Sequence, residues 1–314
     1  MNTLPEKFLE RLAKIVPEEN LPKVLQTFSK KEQFALRLNA IKMKEKEGFL
    51  KELTKRNLVY APVTWFPKAY ILSMKDKTIV TSMPELHEGK IYIQSLSSMF
   101  VAWTLEPQAG ERILDLCAAP GSKTTQMADM MEHKGHIIAV EHVRNRLYKL
   151  RSVLDLLGVG IVDMKLIDGR RYRCEGELFD KVLVDAPCSS EGRFDVTDKK
   201  TFRYWSPRKI REMVRKQKGL ILNAGRCLKD EGVLVYSTCT FAPEENEGVI
   251  NWFLRKTGGM FVLKDISTTG VDTYPPVLEW MDNTYNPDIQ KCVRILPTEN
   301  MDGFFVAKLR KVKG

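Results

Sequence analysis

The segment RILDLCAAPGSKTT, residues 112–125, consists of a short apolar run, a turn of small residues and the start of a helical stretch. A strand that passes through a tight turn directly into a helix is the opening of a βαβ unit. Beyond residue 105, short apolar runs continue to alternate with helical stretches, which is typical of a parallel sheet covered by helices. We therefore predict a doubly wound α/β domain over residues 106–314.

The elements of this domain follow from the positions of the apolar runs. Strands are predicted at 112–116, 136–141, 164–167, 181–184, 232–237, 261–264 and 303–309, and helices at 124–131, 144–157, 207–227 and 243–256. The segment 267–299 is rich in loop-forming residues and gives no clear pattern.

Residues 1–105 have a different character and are predicted to form a small α+β domain. Helical spacing covers 5–16, 21–29 and 47–56, and residues 34–41 read as a strand. This part carries 17 lysines and arginines against 11 acidic residues, so it holds +6 of the net charge of +10. A basic excess favours a polyanionic partner such as nucleic acid without proving one.

Size and composition exclude several classes of protein. A chain of 314 residues with 43% hydrophobic residues can form a hydrophobic core. The sequence contains no run of 18 apolar residues, the length needed to span a membrane. The first twenty residues mix charges with apolar residues, unlike a signal sequence, so we expect a soluble cytoplasmic protein. The six cysteines form no CxxC pair and the four histidines lack zinc-ligand spacing, so neither disulfides nor a metal site are expected.

The turn at residues 115–125 predicts a site for a nucleotide-like cofactor. Ligands of open α/β sheets bind at the carboxyl ends of the strands, where small residues let backbone amides come close. The loop is neither a P-loop nor a GxGxxG motif, because Gly121 is its one glycine and Lys123 stands where no diphosphate grip is implied.

Three successive strands lead into carboxylates, namely Glu141, Asp168 and Asp185. Glu141 stands where a carboxylate accepts hydrogen bonds from ribose hydroxyls, and Asp168 is placed for an adenine ring. Acidic residues commonly follow strands as turn formers, but three of them together with the Gly121 turn favour a binding site. Their charge opposes a polyphosphate and suits a cationic, adenosine-bearing cofactor, which points to S-adenosylmethionine.

Two cysteines follow neighbouring predicted strands in similar turns: Cys188 in LVDAPCSSEG (183–192) and Cys239 in VYSTCTFAPEENE (235–247). Both thiols should face the cofactor cleft, and a helix N-terminus after each turn favours thiolate, the nucleophilic form. The usual state of a free cysteine is a small buried side chain, and we interpret Cys174, Cys227 and Cys292 in that way.

Several motifs carry a resemblance to a known family. Residues 115–125, 185–190 and 237–247, with RILPTENMDGFFVAKLRK (294–311), LRLNAIK (36–42) and YIQSLSSM (92–99), resemble the Nop/Sun (RsmB/NOP) family of RNA cytosine-5 methyltransferases. The resemblance covers most of the chain. It implies a class I methyltransferase fold with a Rossmann-like sheet and an N-terminal domain similar to an RNA-recognition motif. It also implies S-adenosylmethionine as methyl donor and a cytosine in RNA as acceptor.

The resemblance assigns a role to each motif residue. C5 of cytosine is a poor nucleophile, so a thiolate first adds to C6; by the family pattern Cys239 attacks, Cys188 assists release and Asp185 hydrogen-bonds the base near N3. The methionine and ribose would lie against the loop, Glu141 would bind the ribose, Asp168 the adenine, and Arg146 and Asp185 would also lie near the cofactor. The loop residues are Cys117, Ala118, Ala119, Pro120, Gly121, Ser122 and Lys123.

The chain departs from the family pattern after Cys188, where Ser190, Glu191 and Phe194 stand in place of small residues and glycine. Nearby, the run FRYW (202–205) suits a splayed RNA strand, although Trp205 can equally belong to the core. In the front domain Lys42, Lys44 and Lys46 are predicted to contact RNA phosphates.

Two other functions remain open from the sequence. One is a DNA cytosine-5 methyltransferase, whose Pro-Cys nucleophile would be Cys188, although the chain has no target-recognition insertion. The other is an RNA-binding protein that keeps the fold without activity. The RNA could be tRNA or rRNA, and we expect a monomer without metal.

Overall fold

The chain forms a small antiparallel sheet followed by a large mixed sheet. The structure, a computed structural model, describes residues 3–29, 31–174 and 176–313. Up to residue 105 the elements are α1 (Glu6–Ile15), α2 (Leu21–Thr27), β1 (Gln33–Leu38), α3 (Lys46–Lys55), β2 (Tyr60–Pro62), β3 (Ala69–Ser73), α4 (Lys77–Thr81), α5 (Pro84–His87), β4 (Ile91–Ile93) and α6 (Leu96–Leu105). No helix in the described ranges is long and apolar enough to cross a membrane.

The second part of the chain builds the large sheet and the helices that cover it. Its elements are β5 (Arg112–Asp115), α7 (Ser122–Met130), β6 (His136–Glu141), α8 (Arg144–Leu157), β7 (Val162–Leu166), β8 (Phe179–Asp185), α9 (Pro207–Cys227), β9 (Leu228–Thr238), α10 (Glu247–Thr257), β10 (Phe261–Lys264), β11 (Thr273–Tyr274), β12 (Glu279–Trp280), β13 (Asn283–Thr284), β14 (Val293–Ile295) and β15 (Phe304–Lys311).

The small sheet has the strand order β2-β3-β1-β4, and all its described pairs are antiparallel. Helix α3 lies between β1 and β2 in the chain, and the short α4 and α5 lie between β3 and β4, which gives the β-α-β-β-α-β order of ferredoxin-like domains. Phe49 and Leu53 of α3 are buried in the core of this sheet. The predicted small α+β fold is confirmed.

The large sheet has the order β11-β14-β15-β9-β8-β5-β6-β7, and β10 pairs with β15. Strands β5 to β9 are parallel, whereas β15 runs antiparallel to β9. The chain moves outwards from β5 through β6 to β7 and then continues at β8, on the other side of β5. This reversal is the topological switch point at which open α/β sheets bind ligands. The predicted doubly wound α/β fold is confirmed.

Predicted and observed bounds differ where tertiary contacts decide them. The helix predicted at 243–256 begins at Glu247, because Glu245 and Asn246 are buried and turn their side chains into the protein. The unclear segment 267–299 contains the short strands β11 to β14, which local pattern alone does not reveal.

Buried polar side chains join the small sheet to the large one. Arg37 of β1 is buried; its Nε donates to Oε1 of Gln94 at 2.8 Å and its Nη2 donates to Oγ1 of Thr125 in α7 at 2.7 Å. Nδ2 of Asn39 donates to the carbonyl oxygens of Gly89 and Leu157, both at 2.8 Å. A buried guanidinium or amide is stable only when hydrogen-bonded, so these bonds hold the two sheets in one arrangement.

The domain boundary predicted near residue 105 crosses packed elements. Helix α6 contributes Met99, Phe100 and Leu105 to a cluster that includes Ile113 of the large sheet. Helix α1 packs away from the small sheet, with the Phe8 ring centroid 4.9 Å from that of Phe194. The boundary therefore stays a prediction.

Lys42 has intramolecular partners that the sequence did not suggest. Its Nζ donates to the carbonyl oxygens of Leu156 at 2.7 Å and Glu88 at 3.0 Å, and thus binds at the carboxyl end of α8. The ammonium group already has acceptors in the absence of RNA. The phosphate contacts predicted for Lys44 and Lys46 stay predictions.

The expectation of no disulfide is wrong, since Cys174 and Cys227 are bonded, with a Cα–Cα distance of 5.8 Å. The bond joins the segment after β7 to the end of α9, two places that are 53 residues apart in the sequence. Cysteines scattered along a sequence do not show which of them pair, because only the fold brings the partners together. The interpretation of Cys174 and Cys227 as free thiols is corrected accordingly, whereas Cys292 is buried and free as expected.

We predict that replacing Cys174 and Cys227 together by serine lowers the free energy of unfolding by about 4 kcal/mol, because a cross-link over 53 residues restricts the unfolded chain. The measurement is urea unfolding with and without dithiothreitol. Reductant should destabilise the native chain to the level of the variant and leave the variant unchanged. A native chain that ignores reductant would contradict the prediction.

Candidate active site

The loops that follow β5 to β9 converge on one cleft of about 690 Å³. The cleft brings together the residues predicted from the sequence: it is lined by Cys117, Ala118, Ala119, Pro120, Ser122, Lys123, Glu141, Arg146, Asp168, Asp185, Cys188 and Cys239. Gly121 lies just behind the lining. Its φ is +109°, and a Cβ there would approach Cδ1 of Leu150 to 2.8 Å, so glycine is required by both conformation and space.

Asp115 stabilises the loop after β5 through hydrogen bonds. This buried carboxylate accepts a hydrogen bond from Oγ1 of Thr124 at 2.8 Å and one from the amide of Cys117 at 3.4 Å. Burial raises the pKa of Asp115 to about 6. Because both hydrogen bonds come from residues of this turn, Asp115 fixes the conformation of the cofactor loop.

Glu141 ends β6 and is buried, with Oε1 accepting from the amides of His142 and Val143, both at 2.9 Å. Nη1 of Arg146 lies 3.2 Å from its Oε2, and Nη2 of Arg146 donates to the carbonyl oxygen of Ala119 at 2.6 Å. Arg146 thus links the loops that follow β5 and β6.

Asp168 lies on the other wall of the cleft beside Arg170. Nε of Arg170 donates to both carboxylate oxygens at 3.0 Å, and this pairing lowers the pKa of Asp168 to about 2. The backbone around it is fixed by Asn223, whose Nδ2 donates to the carbonyl oxygens of Gly169 at 2.7 Å and Tyr172 at 2.9 Å.

This half of the cleft fits S-adenosylmethionine. Small side chains at 117–122 leave backbone close to the cavity, and a buried carboxylate at the second strand matches the requirement of ribose hydroxyls. The acidic lining suits a cofactor that carries a positive charge on sulfur.

The two predicted thiols meet in the other half of the cleft. Strands β8 and β9 are parallel neighbours, and their loops bring Sγ of Cys188 to 3.3 Å from Sγ of Cys239. A hydrogen bond from Cys188 lowers the pKa of Cys239 to about 7, with help from the charge of Arg193. The same contact, together with burial, raises the pKa of Cys188 well above its ordinary value. Of the two thiols, Cys239 is therefore the one that ionises more readily near neutral pH.

Asp185 lies beside the thiols with both oxygens engaged. Nζ of Lys123 donates to Oδ2 at 2.7 Å, and Oγ of Ser237 donates to Oδ1 at 2.8 Å. Lys123 is almost completely buried, so its charge lies inside the cleft wall. This ion pair connects the cofactor loop to the thiol half of the cleft.

Two buried glutamates, not predicted from the sequence, hold the thiol loops. Glu245 accepts from the amide of Ser189 at 3.0 Å and from Nε2 of Gln217 at 2.7 Å, and burial raises its pKa to about 8. Glu191 accepts from Oγ1 of Thr240 at 2.9 Å and from Nε1 of Trp205 at 2.7 Å. The departure from the family pattern at Glu191 thus has a structural role.

The residues 202–205 divide into core and surface. Trp205 packs against Phe8, with ring centroids 5.7 Å apart, so the core interpretation is supported for this residue. Tyr204 is 72% exposed, and the guanidinium carbon of Arg203 lies 4.4 Å from the centroid of its ring.

Other lining residues were not predicted as site residues. Ser95, Ser98, His142, Arg170, Arg193, Lys216 and Phe304 also border the cleft. Ser95, Ser98 and Phe304 lie within the segments 92–99 and 294–311 that carry the family resemblance, but the resemblance assigned them no role; the fold brings all seven to the cleft. Arg193 is joined to Cys239 through its neighbour, since the amide of Gly192 donates to the carbonyl oxygen of Cys239 at 3.0 Å.

The fold and the cleft define an S-adenosylmethionine-dependent methyltransferase with two thiols beside the donor site. Comparison with known proteins gives the family. The model described as 16S rRNA methyltransferase RsmB/F matches residues 102–310, and that of the N-terminal domain of 16S rRNA methyltransferase RsmF matches residues 4–96. The chain belongs to the RsmB/F family, and it is an RNA cytosine-5 methyltransferase.

Relatives of different length match this chain. It is 37% identical to a tRNA (cytosine(49)-C(5))-methyltransferase of Pyrococcus abyssi over 98% of this chain and 96% of that protein. It is 32% identical to ribosomal RNA small subunit methyltransferase F of Aeromonas hydrophila, but it spans only 64% of that protein's length. The crystal structure of NSun6 from Pyrococcus horikoshii with SFG, a donor analogue, matches with a TM-score of 0.82 at 25% identity, covering 99% of each chain.

We predict that alkylation of Cys239 by iodoacetamide rises with a midpoint near pH 7, while Cys188 reacts slowly up to pH 9. Replacing Cys188 by alanine removes the hydrogen bond to the thiolate, so the midpoint of Cys239 should move to higher pH. Mass spectrometry of the two peptides reads both rates. A midpoint that stays at pH 7 in Cys188→Ala would contradict this origin of the shift.

Proposed function

We propose that the chain transfers a methyl group to C5 of a cytosine in structured tRNA, with Cys239 as the nucleophile. The observation that carries this assignment is the 3.3 Å contact between the thiols, in which the pKa of Cys239 lies low and that of Cys188 high. The nucleophile must be a thiolate at neutral pH. The charge of Arg193 favours the anion at Cys239, whereas a DNA-type enzyme would require Cys188 to attack.

The chemistry follows from these positions. Sγ of Cys239 bonds to C6 of the cytosine, and the electron pair of the C5–C6 double bond makes C5 nucleophilic. S-adenosylmethionine, when bound against residues 117–123 with Glu141 at the ribose and Asp168 at the adenine, supplies a methyl group on a positively charged sulfur. C5 forms a bond to this methyl group as the bond between the methyl group and the donor sulfur breaks, which would leave the neutral thioether S-adenosylhomocysteine. The C5 proton then passes to solvent, the C5–C6 double bond forms again and the sulfur–C6 bond breaks, which returns Cys239 to the thiolate; Cys188 assists this release. The mechanism uses no metal.

Asp185 is the residue that we propose binds the target cytosine. Its carboxylate lies between Lys123 and Ser237, which orient it toward the thiol half of the cleft. A hydrogen bond from N3 of a protonated cytosine ring to Asp185 would favour the addition of the thiolate at C6, because the charged ring is the better electrophile. Lys123 limits the freedom of the carboxylate and so positions it.

The choice of tRNA rests on similarity. This chain is 37% identical to the tRNA enzyme of Pyrococcus abyssi and 32% identical to the rRNA enzyme of Aeromonas hydrophila, each over 98% of this chain. We propose further that residues 1–105 form an RNA-binding domain and 106–314 the catalytic domain, and that the enzyme works as a cytoplasmic monomer.

We predict that Cys239→Ala abolishes both methyl transfer and covalent protein–RNA adducts, whereas Cys188→Ala accumulates adducts that resist denaturation, because attack continues while release fails. Labelled methyl transfer and denaturing gels measure the two quantities. Cys292→Ser serves as a control in which a thiol outside the cleft is changed. If the two cleft variants exchanged their behaviour, Cys188 would be the nucleophile.

We predict that unmodified tRNA transcripts accept the methyl group and a 16S rRNA transcript does not. Bisulfite sequencing identifies the cytosine, and a transcript with uridine at that position is the matched control. Methylation of the 16S transcript with tRNA left unmodified would replace tRNA by rRNA as the target. Cofactor binding without transfer to any RNA would refute the proposed function.

A further inference from the structure

Three arginines form an exposed stripe on the outer face of α9. Arg208, Arg211 and Arg215 stand at helical spacing i, i+3 and i+7, and all three are exposed. Across the described ranges of the chain, no ion pair or hydrogen bond engages their guanidinium groups. Glu212, the acidic residue of this stretch, is already bound by Lys209 at 3.3 Å and Lys216 at 2.8 Å. We name these three residues the arginine crest.

One side of the crest borders the active-site cleft. Lys216 and Leu220, on the inner side of α9, line the cleft. Between them, Nε2 of Gln217 donates to the carbonyl oxygen of Pro187, next to Cys188, at 2.9 Å. The crest is therefore fixed relative to the thiols, and a strand that leaves the cleft over Lys216 meets the arginines next.

On its other side, the arginine crest adjoins a second groove, of about 560 Å³, between α9 and α10. It is lined by Lys218, Trp252, Arg255, Lys256 and Tyr285 among others. Nζ of Lys218 lies 5.2 Å from the ring centroid of Trp252, and no carboxylate in the described residues pairs with Lys218, Arg255 or Lys256. Glu244 at the same groove is paired with Arg11 at 2.7 Å.

We propose that the arginine crest and this second groove bind the RNA strand that flanks the target cytosine, with phosphates on the arginines and a nucleotide in the groove. The three arginines span about 10 Å of helix, the length of about three phosphates of one strand. Guanidinium groups bind phosphate in two-point contacts, and an aromatic ring with nearby cations suits a stacked base. The proposal rests on the proposed function, because it takes an RNA in the cleft as its starting point.

The test compares two variants that remove equal charge from different faces. The first is Arg208→Gln, Arg211→Gln and Arg215→Gln together, since glutamine keeps helix propensity. The matched control is Lys149→Gln, Arg151→Gln and Lys165→Gln, three exposed cations on α8 and β7. Equilibrium binding of an unmodified tRNA transcript is measured between 50 and 200 mM salt, with melting temperature and S-adenosylmethionine binding as checks of folding.

The crest variant should bind tRNA at least about tenfold more weakly than the native chain. The slope of log affinity against log salt concentration should fall in magnitude by about 2 to 3, because each lost phosphate contact removes about one unit or slightly less. The control should keep both affinity and slope. Unchanged binding of the crest variant, or an equal loss in the control, would overturn the proposal. Binding is read without catalysis, so a chain that binds tRNA but transfers no methyl group would refute the proposed function alone.

Discussion

The active site depends on the parallel register of β8 and β9. Asp185 lies opposite Ser237 in that register, and both strands end there, so their loops start side by side. Side chains alternate between the faces of a strand, and a slip of one residue would turn Asp185 away from its partner. The 2.8 Å bond between the two side chains and the 3.3 Å contact between the thiols both follow from this one alignment.

Buried acids then give the thiol loops a single conformation. Glu245 holds the loop of Cys188 through the amide of Ser189, and Glu191 holds the loop of Cys239 through Thr240. Glu247 is bound at 2.6 Å through each of two nitrogens of Arg294, which also donates to the carbonyl oxygen of Phe241 at 2.9 Å. Burying an acidic side chain is costly unless its oxygens are satisfied. Here the partners are groups of the two thiol loops together with Gln217, Trp205 and Arg294.

The sequence predicts the parts of the site that are local and misses those that depend on packing. The turn at Gly121 and the carboxylates after successive strands can be read directly, because strand, turn and helix signals lie within a few residues. The Cys174–Cys227 bond, the role of Glu245 and the closeness of Arg193 to Cys239 join segments that the sequence does not relate. The strands of 267–299 are short, and β14 is positioned through Arg294, whose partner Glu247 is 47 residues away.

The buried bonds of Arg37 and Asn39 have a consequence for how a target is chosen. They attach β1 to the helices that follow the cofactor loop and β6, so the small sheet keeps a constant separation from the thiols. An RNA that touches both is held at two points of fixed spacing. If residues 1–105 bind RNA as proposed, the nucleotide that reaches Cys239 is selected by its distance in space from the part of the RNA bound to the small sheet. Two RNAs of unrelated sequence but equal geometry would then present a cytosine at the same point.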